Sequence, residues 1–259
     1  MQTSARPPVW LWFSLLSLDA PVIALIWQDF LSRCYPTVLL PAGRAVLGLT
    51  VWGIYLADRL LDIRHPASTS ESVRHRFYRH HRNFALALFV LVAGSDLLIT
   101  CLWLRPAVFH YGIALSGGVI LYLGAFPFTG WSTAVWKKPA AASLFTAGIF
   151  LIAWTGAGQR STYVLWQPAI AFCALCLGNL FLIERWSLES EDTQVAAHWW
   201  VPALLCAVVI AALSPTRWFI AIAISAICLL ALARWGRGVS TNARCVLADA
   251  ILLTPLLFR

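Results

Sequence analysis

Apolar runs of membrane length recur along the whole chain, and no other feature constrains its fold as strongly. A bilayer core about 30 Å thick needs about 20 apolar residues in a helix, because in lipid each backbone N–H and C=O must be satisfied within the segment. The sequence supplies such runs at about 9–27, 42–62, 84–104, 107–126, 139–157, 165–183, 196–213, 217–234 and 243–258. They predict an all-α, polytopic membrane helix bundle of about nine transmembrane helices. With 60% of its 259 residues hydrophobic and 12% charged, the chain has too little polar surface for a soluble domain of this size. No Gly/Ser linker or charge block divides it, so residues 1–259 are expected to form a single integral membrane domain. The first run is too long for a signal-peptide core and has no small-residue cleavage site, which makes it an expected span.

Charge orients the bundle. Between the second and third runs lie Arg64, His65, Arg74, His75, Arg76, Arg79, His80, His81 and Arg82 against a lone Glu71. The positive-inside rule puts that loop in the cytoplasm. Alternation then places Arg6, Lys137, Lys138, Arg185, Arg234, Arg237 and Arg244 on the same side. Arg33, Arg44, Arg105, Arg160, Arg217 and Arg259 fall opposite. The expected location is a bacterial inner membrane, with the N-terminus cytoplasmic. A net charge of +8 does not point to nucleic acid, because the basic residues hug the membrane surface and no recognition module interrupts the helices. Membrane lipid headgroups or a phosphorylated substrate suit it better. Cys173 and Cys176 form a CxxC inside a run with no second pair, and read as small apolar residues.

Chemistry concentrates at the end of the second run, in Tyr55-Leu56-Ala57-Asp58-Arg59-Leu60-Leu61-Asp62. Residues four apart share a helix face, so Asp58 and Asp62 can jointly hold a hard divalent cation. The sixth run has the same direction and ends Asn179-Leu180-Phe181-Leu182-Ile183-Glu184-Arg185. Glu184 therefore reaches the same membrane depth, with Asn179 between one and two turns deeper at about 1.5 Å per residue. Magnesium commonly takes one or two carboxylates, waters and substrate phosphate oxygens, so a set this small suffices. The alternative reading is that these acids face water and pair with Arg59, Arg64 or Arg185.

Ala57-Asp58-Arg59-Leu60-Leu61-Asp62 resembles part of the first aspartate-rich motif of UbiA-type intramembrane prenyltransferases. Arg6-Pro7 before the first run, and Phe126-Pro127-Phe128 followed by Lys137, Lys138 and Gly148, are further echoes. The resemblance implies a UbiA-like nine-helix bundle with a cytoplasm-facing cavity. It also implies Mg2+ as cofactor and an isoprenoid diphosphate as substrate, whose polyprenyl chain is either transferred to a lipophilic or aromatic acceptor or cyclised without one. Carried onto this chain, Asp58, Asp62 and Glu184 are the expected metal and catalytic residues. Tyr55, Arg59, Arg64, Lys137, Lys138, Asn179 and Arg185 are the expected substrate contacts. Where the family's first motif opens with Asn-Asp this chain has Ile54-Tyr55, and its second motif is reduced to Glu184-Arg185.

That reduced motif keeps open a catalytically inactive relative that binds an isoprenoid or other lipid. Asp19, Asp96 and Asp249 lie inside apolar runs, where a carboxylate is costly and marks an interhelical bond or a wet interior. They support a third reading, a proton-coupled transporter, against which stands the lack of a visible internal repeat. Asp19-Ala20-Pro21 further predicts a kink in the first span.

Overall fold

The computed structural model describes residues 9–35, 37–63, 73–125, 134–156, 159–187, 199–213 and 216–258. Among these every regular element is helical. In chain order they are α1 (Val9–Leu15), α2 (Asp19–Cys34), α3 (Pro41–Asp62), α4 (Val73–His80), α5 (Arg82–Trp103) and α6 (Pro106–Ala125). There follow α7 (Ala134–Gly156), α8 (Gln159–Ser187), α9 (Trp200–Ala212), α10 (Arg217–Trp235) and α11 (Thr241–Ile251). Two 3-10 turns, Gly236–Gly238 and Thr254–Phe258, follow α10 and α11. Among the described residues six stretches are long and apolar enough to cross a membrane: Arg82–Trp103, Pro106–Gly124, Trp136–Gly156, Val164–Trp186, Arg217–Trp235 and Thr241–Phe258. Arg6-Pro7, Arg64 and Phe126-Pro127-Phe128 lie outside the described residues, as does the side chain of Asp62.

The first expected span is two helices. Its break falls at Leu16–Leu18, ahead of the expected Pro21 kink, and Ser17 takes φ 54, a left-handed backbone uncommon outside glycine. Pro21 sits in the first turn of α2, where a missing N–H removes no helical bond. Other elements satisfy the broken backbone. The Trp52 indole of α3 donates to the Leu16 carbonyl at 2.9 Å, and the Tyr78 hydroxyl of α4 meets Ser17 Oγ at 3.1 Å. Asp19 starts the new helix, accepting from the Ala20 N–H at 3.0 Å and from Ser14 Oγ at 3.2 Å. A carboxylate in a first turn also complements the helix dipole.

The basic loop is helical in part. In α4, Tyr78 is buried and Phe77 meets the Trp12 ring edge-on at 5.7 Å, while Arg76, Arg79 and His80 stay exposed. Two adjacent aromatic anchors give this charged segment apolar surface to bury, and it packs on α3 and α5.

Five helices pack in a cycle, α2 on α3, α3 on α7, α7 on α8, α8 on α11 and α11 on α2, and α2 also packs directly on α7, which narrows the ring between them. One end is plugged by aromatics. Trp27, Phe172 and Trp218 are fully buried, with Trp27 centred 4.7 Å from Phe172 and 5.0 Å from Trp218. Phe30 stacks on Trp218 at 5.8 Å and Phe150 meets it edge-on at 5.5 Å. Both buried indoles find acceptors, Trp27 at the Leu252 carbonyl (2.7 Å) and Trp218 at the Pro168 carbonyl (3.3 Å). Beyond the plug, Asp29 pairs with Arg33 at 2.5 Å and with Arg44 at 3.6 Å. The bundle is tight where glycine permits it: a Cβ on Gly178 of α8 would sit 2.5 Å from Leu204 of α9.

Candidate functional site

At the other end of the ring the apolar core gives way to charge. Lys137 and Lys138 open the second turn of α7, and consecutive residues diverge by about 100° around a helix of 3.6 residues per turn. The two ammonium groups therefore reach opposite neighbours. Lys137 Nζ lies 3.1 Å from Asp58 Oδ1 on α3, and Lys138 Nζ lies 2.5 Å from Glu184 Oε1 on α8. Lys138 also stands over the Phe181 ring at 5.5 Å. The two expected acids are thus joined through α7, each held by its own lysine.

Deeper in the ring, Asn179 Nδ2 of α8 donates to Asp249 Oδ1 of α11 at 3.2 Å. Tyr55, one turn below Asp58 on α3, is within electrostatic reach of Asp19, Asp249, Arg59 and Cys176. Every helix of the ring therefore contributes polar groups to this end: Asp19 from α2, Tyr55, Asp58 and Arg59 from α3, Lys137 and Lys138 from α7, Asn179 and Glu184 from α8, and Asp249 from α11.

The exposures are graded. Asp58 and Lys137 keep 24% and 36% of their side-chain surface, and Glu184 and Lys138 keep 29% and 16%. The Asp58–Lys137 pair is the more open to solvent and contributes about 0–1 kcal/mol, so an incoming anion can draw that ammonium away at small cost, while the Glu184–Lys138 pair is the more enclosed. Asn179, by contrast, is buried. Its Oδ1, like Glu184 Oε2, is buried with no hydrogen-bond partner.

Those orphaned oxygens bear on whether a divalent cation fits. Among the described residues no three His, Cys, Asp or Glu side chains converge to form a closed metal cage. Magnesium does not need one, since waters and phosphate oxygens complete its shell. A carboxylate oxygen buried without a partner, at Glu184, and an accessible carboxylate, at Asp58, are donors of the right kind.

Not every expected contact joins this group. Arg185 is exposed and lies over the Trp200 ring at 5.4 Å, on the side of α8 that meets α9. Asp96 is remote in another sense, since it belongs to α5 and accepts from Thr50 Oγ1 of α3 at 2.7 Å. Asp19 and Asp249, which the sequence marks only as costly acids within apolar runs, do join it. No protein-family model matches the chain, and no curated protein or solved structure matches it.

Proposed function

We propose that this chain is an integral membrane transferase of the UbiA type that acts on a polyprenyl diphosphate, with its polar chamber open to the cytoplasm. The observation that carries the reading is the alternation Asp58–Lys137 and Glu184–Lys138 at one end of a five-helix ring. A diphosphate needs cations to bind and to leave, and its polyprenyl tail needs lipid or an apolar channel. A basic and acidic rim on a membrane bundle supplies both.

Lys137 and Lys138 bind the diphosphate oxygens and stabilise the charge that grows on them as the C–O bond to the allylic carbon breaks. Asp58 and Glu184 are the carboxylates that would hold Mg2+, with Asp62 four residues further along the sequence, and the ion would supply positive charge to the departing diphosphate. Arg59 adds a further positive charge beside Asp58. Tyr55, one turn deeper, offers a ring face to an allylic cation, a contact worth about 0.5–2 kcal/mol. Arg185, stacked on Trp200, serves this reading least.

The decisive experiment uses the full chain in lipid nanodiscs with farnesyl and geranylgeranyl diphosphate, measuring magnesium-dependent pyrophosphate release. Asp58→Asn, Glu184→Gln and Lys138→Ala should each lower the rate by about 100-fold or more, the scale of losing a group that acts on developing charge. Unchanged release in all three sinks the proposal. A second reading, an inactive isoprenoid-binding relative, draws on the lysines that already neutralise both acids. It expects tight retention of the prenyl diphosphate with no release from wild type.

A further inference from the structure

Arg185 stands apart from Lys137 and Lys138, and its surroundings describe a different ligand. Contacts fix the directions of four helices: Trp218, at the start of α10, bonds to Pro168 near the start of α8, whereas Arg185 near the end of α8 meets Trp200 at the start of α9. The end of α8, the start of α9, the end of α10 and the start of α11 therefore gather at one end of the bundle. Here Arg185 lies over the Trp200 ring at 5.4 Å, and the next residue, Trp186, carries the Arg244 guanidinium of α11 over its own ring at 5.6 Å. Two arginine–tryptophan stacks thus flank a single step of the α8 backbone. Arg244 also packs its stem against the last turn of α10, where a Cβ on Gly236 would sit 3.5 Å from Arg244 Cδ, and Arg234 lies in that turn.

These cations lack a counter-charge. Among the described residues, Asp29, Asp58 and Glu184 form their ion pairs elsewhere, and no carboxylate pairs with Arg185, Arg234 or Arg244. Trp200 Nε1 and Arg244 Nε are buried without an acceptor, and Arg244 reaches Thr241 Oγ1 only at 3.4 Å. Both orphaned atoms are donors, so what the cluster lacks is an oxyanion. A guanidinium held over a ring by cation–π attraction keeps its in-plane N–H fork for bidentate bonding to one. The setting is that of a membrane interface: Trp199 and Trp235, next in sequence to Trp200 and Arg234, are exposed, and deeper along the same helices Leu205, Val209 and Ile227 face outward. We propose that Arg185, Arg234 and Arg244 form a headgroup site for one anionic phospholipid, with its phosphate on the guanidiniums and its acyl chains along α9 and α10. Basic charge attracts anionic lipid anywhere on a membrane surface. The two stacks and two unmet donors give it a fixed seat here. Glu184, the residue before Arg185, turns instead to Lys138 on α7, so this seat lies on another flank of α8 and does not rest on the transferase reading.

Native mass spectrometry of the full chain tests the seat with no prenyl diphosphate present. The protein is released from micelles holding equal amounts of phosphatidylglycerol and phosphatidylcholine with the same acyl chains. Wild type should retain one phosphatidylglycerol at least about 10-fold more tightly than phosphatidylcholine, since each basic group near a membrane surface contributes a factor of about 5 toward an anionic lipid. Arg185→Gln and Arg244→Gln should each lower that preference by about 5-fold, and Arg33→Gln, at the other end of the bundle, should leave it intact. Equal retention of the two lipids by wild type, which needs no variant to fold, overturns the proposal. A preference that survives Arg185→Gln and Arg244→Gln together but falls in Lys138→Ala overturns it as well, because the lipid then sits on the lysines. Displacement of the lipid by glycerol 3-phosphate at equal concentration also does so, marking a site for soluble phosphates. None of these readouts involves pyrophosphate release, so the seat and the transferase reading stand or fall separately.

Discussion

α5 and α8 invert the rule that governs soluble proteins. α5 is the most apolar of the six candidate spans, yet only 11% of its apolar stretch is buried, against 56% for the less apolar α8. Lipid is as apolar as leucine, so hydrophobicity drives no helix to the centre of a bilayer bundle. Position is decided instead by what lipid cannot satisfy. α8 carries Cys176, Gly178, Asn179 and Glu184, whose small size or polar atoms need protein neighbours, and it packs against α7, α9, α10 and α11. α5 offers Ser95 and Asp96 near its middle, of which Asp96 is bonded to α3, and one buried face, Ala85 and Val92, and packs against α3 and α4 alone among the stronger contacts.

If packing rather than apolar content sets the centre, the sharpest break comes from the plug that α10 presents to α8. Trp218→Ala removes ring contacts to Trp27, Phe30, Phe150 and Phe172 and leaves the Pro168 carbonyl without its indole donor. The cavity term survives in lipid, so the loss should approach the about 3–5 kcal/mol of a large-to-small core change. It would be read as a fall in the unfolding midpoint in mixed micelles. A midpoint unchanged within error removes the plug from the account of stability.

The same inversion explains which parts of the molecule are legible in the sequence. The run at 42–62 predicts α3 (Pro41–Asp62) almost to the residue, because the charges of Arg44 and Asp62 bracket it. The break at Ser17 is not legible: it depends on Trp52 and Tyr78, 35 or more residues away, supplying the bonds that the α1–α2 junction loses. The α4 helix is missed for a related reason, since Phe77 and Tyr78 look incidental among so many basic residues until they have Trp12 and Ser17 to meet. At the site, Asp58 and Glu184 are visible as acids ending two parallel runs, and Lys137 and Lys138 as basic residues ahead of a third. Their pairing is not, because it turns on the rotation of α7 about its axis, and an all-round apolar helix has no stripe from which to read that rotation. Asn179 is picked out by depth alone, and its bond to Asp249 depends on α11 packing beside α8.

A smaller effect sharpens the comparison at the α3–α5 contact. Thr50→Val keeps the shape and removes the donor to Asp96 Oδ2, leaving that carboxyl with neither oxygen bonded among the described contacts, since Oδ1 already lacks a partner. Interhelical hydrogen bonds of this kind average about 0.6 kcal/mol in membranes and reach about 1.7. The expected loss lies in that range and below that of Trp218→Ala, and a Thr50→Ser control should recover it. If Thr50→Val costs as much as the tryptophan, α5 is held by polar bonding far more than its packing suggests.

The smallest effect is the most discriminating, because hydropathy and packing predict opposite outcomes for it. Leu97, next to Asp96 in the most apolar helix, is 65% exposed. A leucine valued for its own hydrophobicity would cost several kcal/mol to truncate, as in a soluble core. Facing lipid, it exchanges one apolar neighbour for another, and Leu97→Ala should shift the unfolding free energy by no more than about 0.5 kcal/mol. Leu98, 57% exposed on the same helix, provides a replicate for the measurement in the same mixed micelles. Two leucines that each cost more than Thr50→Val would mean that α5 buries this face against something other than lipid, such as a second copy of the chain. A dependence of the loss on protein concentration would then identify that contact.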